Sequence, residues 1–143
     1  MDNQGKPPQE IRDPIHGAVP VDDMEIAIID HPFIQRLRGI RQLGFSHLPF
    51  PGATHTRYNH SLGVMHLAGR AFDACFRDEP FATIEVQQAY RHCLRLAALC
   101  HDSGHAPFSH AAEFAMPTLR ELGIRCYDSE RVAHRLDNRA THE

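Results

Sequence analysis

The chain contains no run of about 18 apolar residues, so no membrane-spanning helix is expected. Its opening residues, Met1–Glu10, are polar and proline-containing and lack the apolar core of a secretory signal. None of the four cysteines, Cys75, Cys93, Cys100 and Cys126, sits in a Cys-x-x-Cys pair, which argues against a zinc knuckle or a redox motif. Three of them fall on apolar helical faces and are expected to be buried free thiols, as suits a reducing cytosol. Charge of either sign is not in excess: the net charge is −3, so nothing draws the whole molecule to nucleic acid. A polyanionic substrate would therefore need a local basic cluster. There is no internal repeat and no low-complexity tract.

At 143 residues the chain is expected to be one domain with one core. Histidine is abundant: there are twelve, several close together, a bias toward metal or proton-transfer chemistry. Met1–Glu10 is expected to be a disordered arm, and residues 11–143 the folded domain. Around the turn signal Asp13-Pro14-Ile15-His16-Gly17, residues 11–22 suggest a small hairpin or extended entry. Asp22 or Asp23 caps a short helix reaching about Asp30. Apolar positions at 33/34, 37, 40 and 43 predict a helix over 33–43, and prolines at 49 and 51 a loop over 48–56. Long helices are expected from about Thr56 to Arg77 and from about Thr83 to His101, then short pieces over 109–116 and 119–122. The fold class is all-α with a small β element near the N-terminus.

In the last long helix the stripe Val86, Tyr90, Cys93/Leu94, Ala97 runs on to His101, followed by Asp102. An imidazole and a carboxylate continuing a buried face need pairing, hydrogen bonds or a metal. His60, expected inside near Val64, Leu67 and Ala71, could join them if the two long helices pack side by side. Imidazole nitrogens with carboxylate oxygens suit zinc, iron, manganese or nickel. Arg57, at i−3 from His60, is placed for a phosphate clamp. Residue types and spacing leave two readings open, a metal site or a set of locally hydrogen-bonded histidines with no ligand.

The residues also resemble the HD-domain phosphohydrolases, and within them the deoxynucleoside triphosphate triphosphohydrolase branch. The resemblance runs through Asp13-Pro14-Ile15-His16-Gly17, then Gln35-Arg36-Leu37-Arg38, Gln42-Leu43-Gly44 and Phe50-Pro51-Gly52-Ala53. It continues through His55-Thr56-Arg57-Tyr58-Asn59-His60-Ser61-Leu62-Gly63 and Leu99-Cys100-His101-Asp102-Ser103-Gly104-His105-Ala106-Pro107-Phe108-Ser109-His110, and ends at Thr141-His142-Glu143. It covers most of residues 11–115 and the last three.

That resemblance implies an HD-domain helical bundle and a divalent metal (iron, manganese, zinc, nickel or magnesium) held by His60, His101 and Asp102. It implies catalytic roles for His105, His110 and His142, with Glu113 where animal members carry an aspartate that orients the catalytic histidine. It implies a phosphate contact for Arg57 and deoxyribose contacts for Gln42 and Leu43. Asp30, Gln35 and Arg38 match positions that bind an activating nucleotide, although Arg12 departs from that pattern. The implied reaction converts a dNTP and water into a deoxynucleoside and triphosphate, in a cytoplasmic homo-oligomer. Another nucleotide phosphate is the alternative substrate. The family's fourth metal ligand is an aspartate downstream of the His-Glu motif, so the chain is expected to be the N-terminal portion of such a domain, truncated at its C-terminus. A catalytically dead fragment that binds a nucleotide or a partner chain is the reading from a different class.

Overall fold

The structure, a computed structural model, describes residues 9–78, 81–105 and 114–123. The chain divides into two compact units, Met1–His101 and Asp102–Glu143.

The first unit opens with two antiparallel strands, β1 (Gln9–Asp13) and β2 (Gly17–Val21), paired in register from Gln9↔Val21 to Asp13↔Gly17. Gln9 and Glu10 are thus strand residues, two positions inside the segment expected to be a disordered arm. Side chains alternate along β2: Val19 and Val21 are buried, Ala18 and Pro20 exposed. Asp22 then caps helix α1 (Asp23–Ile29), accepting from the Glu25 amide at 2.8 Å, while Glu25 Oε2 accepts from the Asp22 amide at 3.1 Å.

Residues 33–43 do not form the single helix their spacing predicts. Helix α2 (Pro32–Gln35) gives way to a 3-10 turn at Arg36–Gly39, and the chain then becomes extended. The cause is long-range pairing. Arg41 bridges Thr56, the Arg57 amide donates to Ile40 O at 2.9 Å, and the Gln42 amide donates to His55 O at 3.1 Å. Those backbone groups are engaged across the loop and cannot also close helical rings.

Helix α3 (Arg57–Cys75) is capped by Thr56, and helix α4 (Ile84–Cys100) by Thr83. The two long helices pack against each other. α3 buries Tyr58, Ser61, Leu62, Met65, Gly69 and Phe72, at spacings of three and four. With Val19, Val21, Ile29, Ile34, Leu37 and Leu99 its apolar members form the core.

The orientation of α4 reverses the sequence expectation. Val86, Tyr90, Cys93, Leu94, Ala97 and His101 are exposed, whereas Arg95 and Leu99 are buried. An ion pair turns the helix this way. Arg95 Nε lies 2.6 Å from Glu25 Oε1, Nη2 lies 2.8 Å from Oε2, and Nη2 also donates to Pro20 O at 2.9 Å. Both side chains are nearly fully buried, so the pair crosses the core as a bidentate clamp from α4 to α1 and the hairpin. Cys75 and Cys93 are exposed rather than buried, and Cys100 is half-buried, where burial pushes its thiol pKa up.

Gly69 lets that clamp pass. A Cβ there would stand 3.0 Å from Arg95 Nη1 and 3.1 Å from its Cδ. Glycine to alanine inside a helix normally gains up to about 1 kcal/mol. Here Arg95 is held by Glu25 and cannot swing aside, so Gly69→Ala is expected to lose about 1–3 kcal/mol by overpacking. A thermal melt checks the sign; a gain in stability would mean that Arg95 yields freely.

In the second unit, residues 102–104 are turns, Phe114–Ala115 lie in a 3-10 turn, and one helical turn, α5 (Leu119–Leu122), is capped by Thr118. The helix expected over 109–116 falls largely outside the described residues.

Candidate metal centre

Two histidines come together where the long helices pack. His60 sits one turn into α3 and is half-buried, on a side of the helix where Leu67 and Ala71 are exposed rather than inside. His101 is the residue directly after α4. Their rings meet edge to face, with centroids 5.2 Å apart, and their ligand nitrogens lie within 4.8 Å of one another. His101 Nδ1 lies 2.7 Å from Ala98 O. Donation to that carbonyl fixes the tautomer and assigns the ring's lone pair to Nε2, the arrangement usual for a metal-ligating histidine. His101 is exposed, not buried as the stripe predicted, so its ring is the more accessible of the two.

Asp102 follows in the chain, and the peptide bond holds the two Cα atoms ~3.8 Å apart. His60, His101 and Asp102 each offer one ligand atom of a kind that divalent transition metals take. The donor set, two imidazoles and one carboxylate, therefore fits a divalent metal. Within the second unit, Asp102 Oδ1 lies 3.3 Å from His105 Nε2 and both residues are buried, so this carboxylate also orients His105.

A second group, Asp22, Glu25 and His92, also offers clustered ligand atoms but suits a cation poorly. Glu25 is engaged by Arg95 through both oxygens, and Asp22 caps α1 with one oxygen while the other lies 2.9 Å from His92 Nδ1. The buried guanidinium supplies positive charge where the metal would sit.

Of the other expected site residues, Arg57 is fully buried at the first turn of α3. Gln42 is half-buried, and Leu43 is exposed on the loop that leads back toward α3. Gln35 and Arg38 are brought together: Arg38 Nε donates to Gln35 Oε1 at 2.7 Å, Gln35 Nε2 donates to Ile29 O at 2.8 Å, and the Arg38 guanidinium lies 3.7 Å from the Tyr58 ring centroid. Asp30 is the exposed C-cap of α1. His110, Glu113 and His142 lie outside the described residues.

The structure adds residues to which sequence reasoning gave no role. A cavity of about 630 Å³ is lined by His60 together with Asp13, His16, His55, Asn59 and Val64. The turn Asp13-Pro14-Ile15-His16-Gly17 was legible in sequence, but nothing local says that it folds onto α3. His66, on the same helix, has its pKa lowered, first by burial and then by the neighbouring His16 and the Arg70 and Arg95 charges.

Residues 57–139 match the HD domain family. The chain belongs to the HD domain family, the metal-dependent phosphohydrolases that its motifs resemble. Among curated relatives, it is 47% identical over 98 residues to the deoxynucleoside triphosphate triphosphohydrolase SAMHD1 of Xenopus laevis, an alignment covering 68% of this chain and 15% of that protein. It is 44% identical over 103 residues to the SAMHD1 homolog of Dictyostelium discoideum, covering 72% of this chain and 20% of the relative. An uncharacterized protein of Methanocaldococcus jannaschii is 42% identical over 103 residues, covering 72% of this chain and 20% of that one. The HD-domain chain thus spans between about one seventh and one fifth of these relatives. No helix among its described residues is long and apolar enough to cross a membrane.

Proposed function

We propose that this HD domain is the metal-binding part of a dNTP triphosphohydrolase, with His60, His101 and Asp102 as metal ligands. The observation that carries the reading is the meeting of His60 and His101, 41 residues apart, with the His101 tautomer set by Ala98 and Asp102 next in the chain. The similarity to relatives named as dNTP triphosphohydrolases supports the substrate class.

When bound, the metal would supply Lewis acidity toward a phosphate oxygen and lower the pKa of a bound water. Arg57 would neutralise the phosphate oxygens through its rigid fork of donors. His105, held by Asp102, would donate to the same phosphates. His110, supported by Glu113, would be the proton-transfer group at the α-phosphorus, and His142 would act on the phosphates. Water adds to the α-phosphorus, the bond from phosphorus to the sugar O5′ breaks, and O5′ takes up a proton, releasing deoxynucleoside and triphosphate. Gln42 and Leu43 would pack against the deoxyribose and leave no room for a 2′-hydroxyl. Asp30, Gln35 and Arg38 would bind an effector nucleotide, and the working form would be a cytoplasmic homo-oligomer whose folded domain begins after the N-terminal arm.

Metal analysis of the purified chain, followed by dNTP hydrolysis with product identification, tests this. Stoichiometric metal with release of triphosphate is expected. Folded protein that takes up no metal and hydrolyses no dNTP would refute it. Arg57→Lys keeps the charge but loses the bidentate fork, so turnover should fall about 100-fold, the scale for removing one preorganised donor, while metal content is unchanged. Metal loss in that variant would contradict a phosphate role for Arg57.

A further inference from the structure

The hairpin turn reaches α3 at one close approach. Asp13 Oδ1 accepts hydrogen bonds from the amides of Ile15 at 2.9 Å and His16 at 2.8 Å, and Gly17 takes a left-handed φ of 72° to re-enter β2. The turn is thereby held in one shape, and it sets the His16 ring on the backbone of α3 at Gly63. A Cβ built on Gly63 would stand 3.0 Å from His16 Nε2 and 3.4 Å from its Cδ2, with no other heavy atom outside the local helix within 4 Å. His16 also meets the His66 ring one turn further on, with centroids 5.4 Å apart.

Gly63 is three residues after His60, on the same side of the helix. A side chain at position 63 would lean toward the helix N-terminus, over the turn that carries His60. Glycine leaves that place empty, and His16 takes it from the hairpin. His16, Gly63 and His60 accordingly line one cavity.

We propose that His16 is a positioning residue for His60: wedged against Gly63, it supplies the wall that restricts the His60 ring to its ligating orientation. The proposal rests on His60 being a metal ligand, but its core claim, that His16 orients His60, can be tested without metal.

Imidazole resonances of His60 in the metal-free protein are one readout, and Mn²⁺ affinity by calorimetry is the other. His16→Ala should shift the His60 resonances and weaken Mn²⁺ binding about tenfold, the low end for losing a group that orients a ligand. His16→Phe keeps a planar ring and should restore both. Gly63→Ala should mimic His16→Ala in the wild-type background and add nothing in the His16→Ala background, because the obstructed partner is then gone. If Gly63→Ala fails to fold, as judged by helical circular dichroism, the His16 variants decide alone. Unmoved His60 resonances in His16→Ala, or equal damage by Gly63→Ala in both backgrounds, would overturn the proposal. Wild-type protein that takes up no Mn²⁺, Fe²⁺ or Zn²⁺ would refute the metal reading, and the metal-free spectra would still decide whether His16 positions His60.

Discussion

Replacing Glu25 by alanine is expected to cost about 3–5 kcal/mol of folding stability, the range for removing one partner of a buried ion pair. Glu25 and Arg95 are exposed by only 2% and 5% of their side-chain surface, so neither charge has water to fall back on. Alanine at 25 leaves the Arg95 guanidinium in the core, still donating to Pro20 O but without its carboxylate. It also removes the carboxylate that closes the α1 capping box. Against a typical domain stability of about 5–15 kcal/mol, the loss is a large fraction of the whole. Urea unfolding measures it. The companion double variant Glu25→Leu/Arg95→Met should recover most of the loss, because a well-packed apolar pair avoids the desolvation that the ion pair suffers. A Glu25→Ala protein within 1 kcal/mol of wild type would contradict the buried clamp, that margin being about what an exposed pair contributes.

His101→Ala should reduce metal affinity by more than about 100-fold, beyond what loss of an orienting neighbour produces. His101 is exposed and hydrogen-bonds to Ala98 of the helix it follows, so the substitution removes a ligand with little effect on packing. Stability of the metal-free protein should change by less than ~0.5 kcal/mol, as for a surface substitution. That contrast separates the two predictions: Glu25→Ala acts on folding, His101→Ala on the metal alone. Calorimetric titration and an apo-protein melt check both halves. Unchanged metal content would place the ion on other residues.

Much of the fold was legible because its signals are local. Asp22, Thr56 and Thr83 cap helices within three residues of themselves, and the Asp13–Gly17 turn closes on its own carboxylate. The failures are non-local. Residues 33–43 have helical spacing, yet the pairing of 40–42 with 55–57 pulls the chain out of the helix. On α4 the apolar stripe is real but faces outward, because the ion pair with Glu25, 70 residues away, turns Arg95 into the core. Hydrophobic periodicity assigns an arginine to the surface and carries no information about a distant partner.

By itself the sequence determined the motifs: the HD doublet, the histidine-rich segments and the arginine one turn before His60 mark the family and its candidate ligands, since ligand type is a property of side chains. Only the tertiary structure decided which faces are inside, how close His60 comes to His101, and that His16 lies against Gly63. Those facts depend on packing between elements far apart in sequence, where one buried ion pair and two bare glycines outweigh the local pattern.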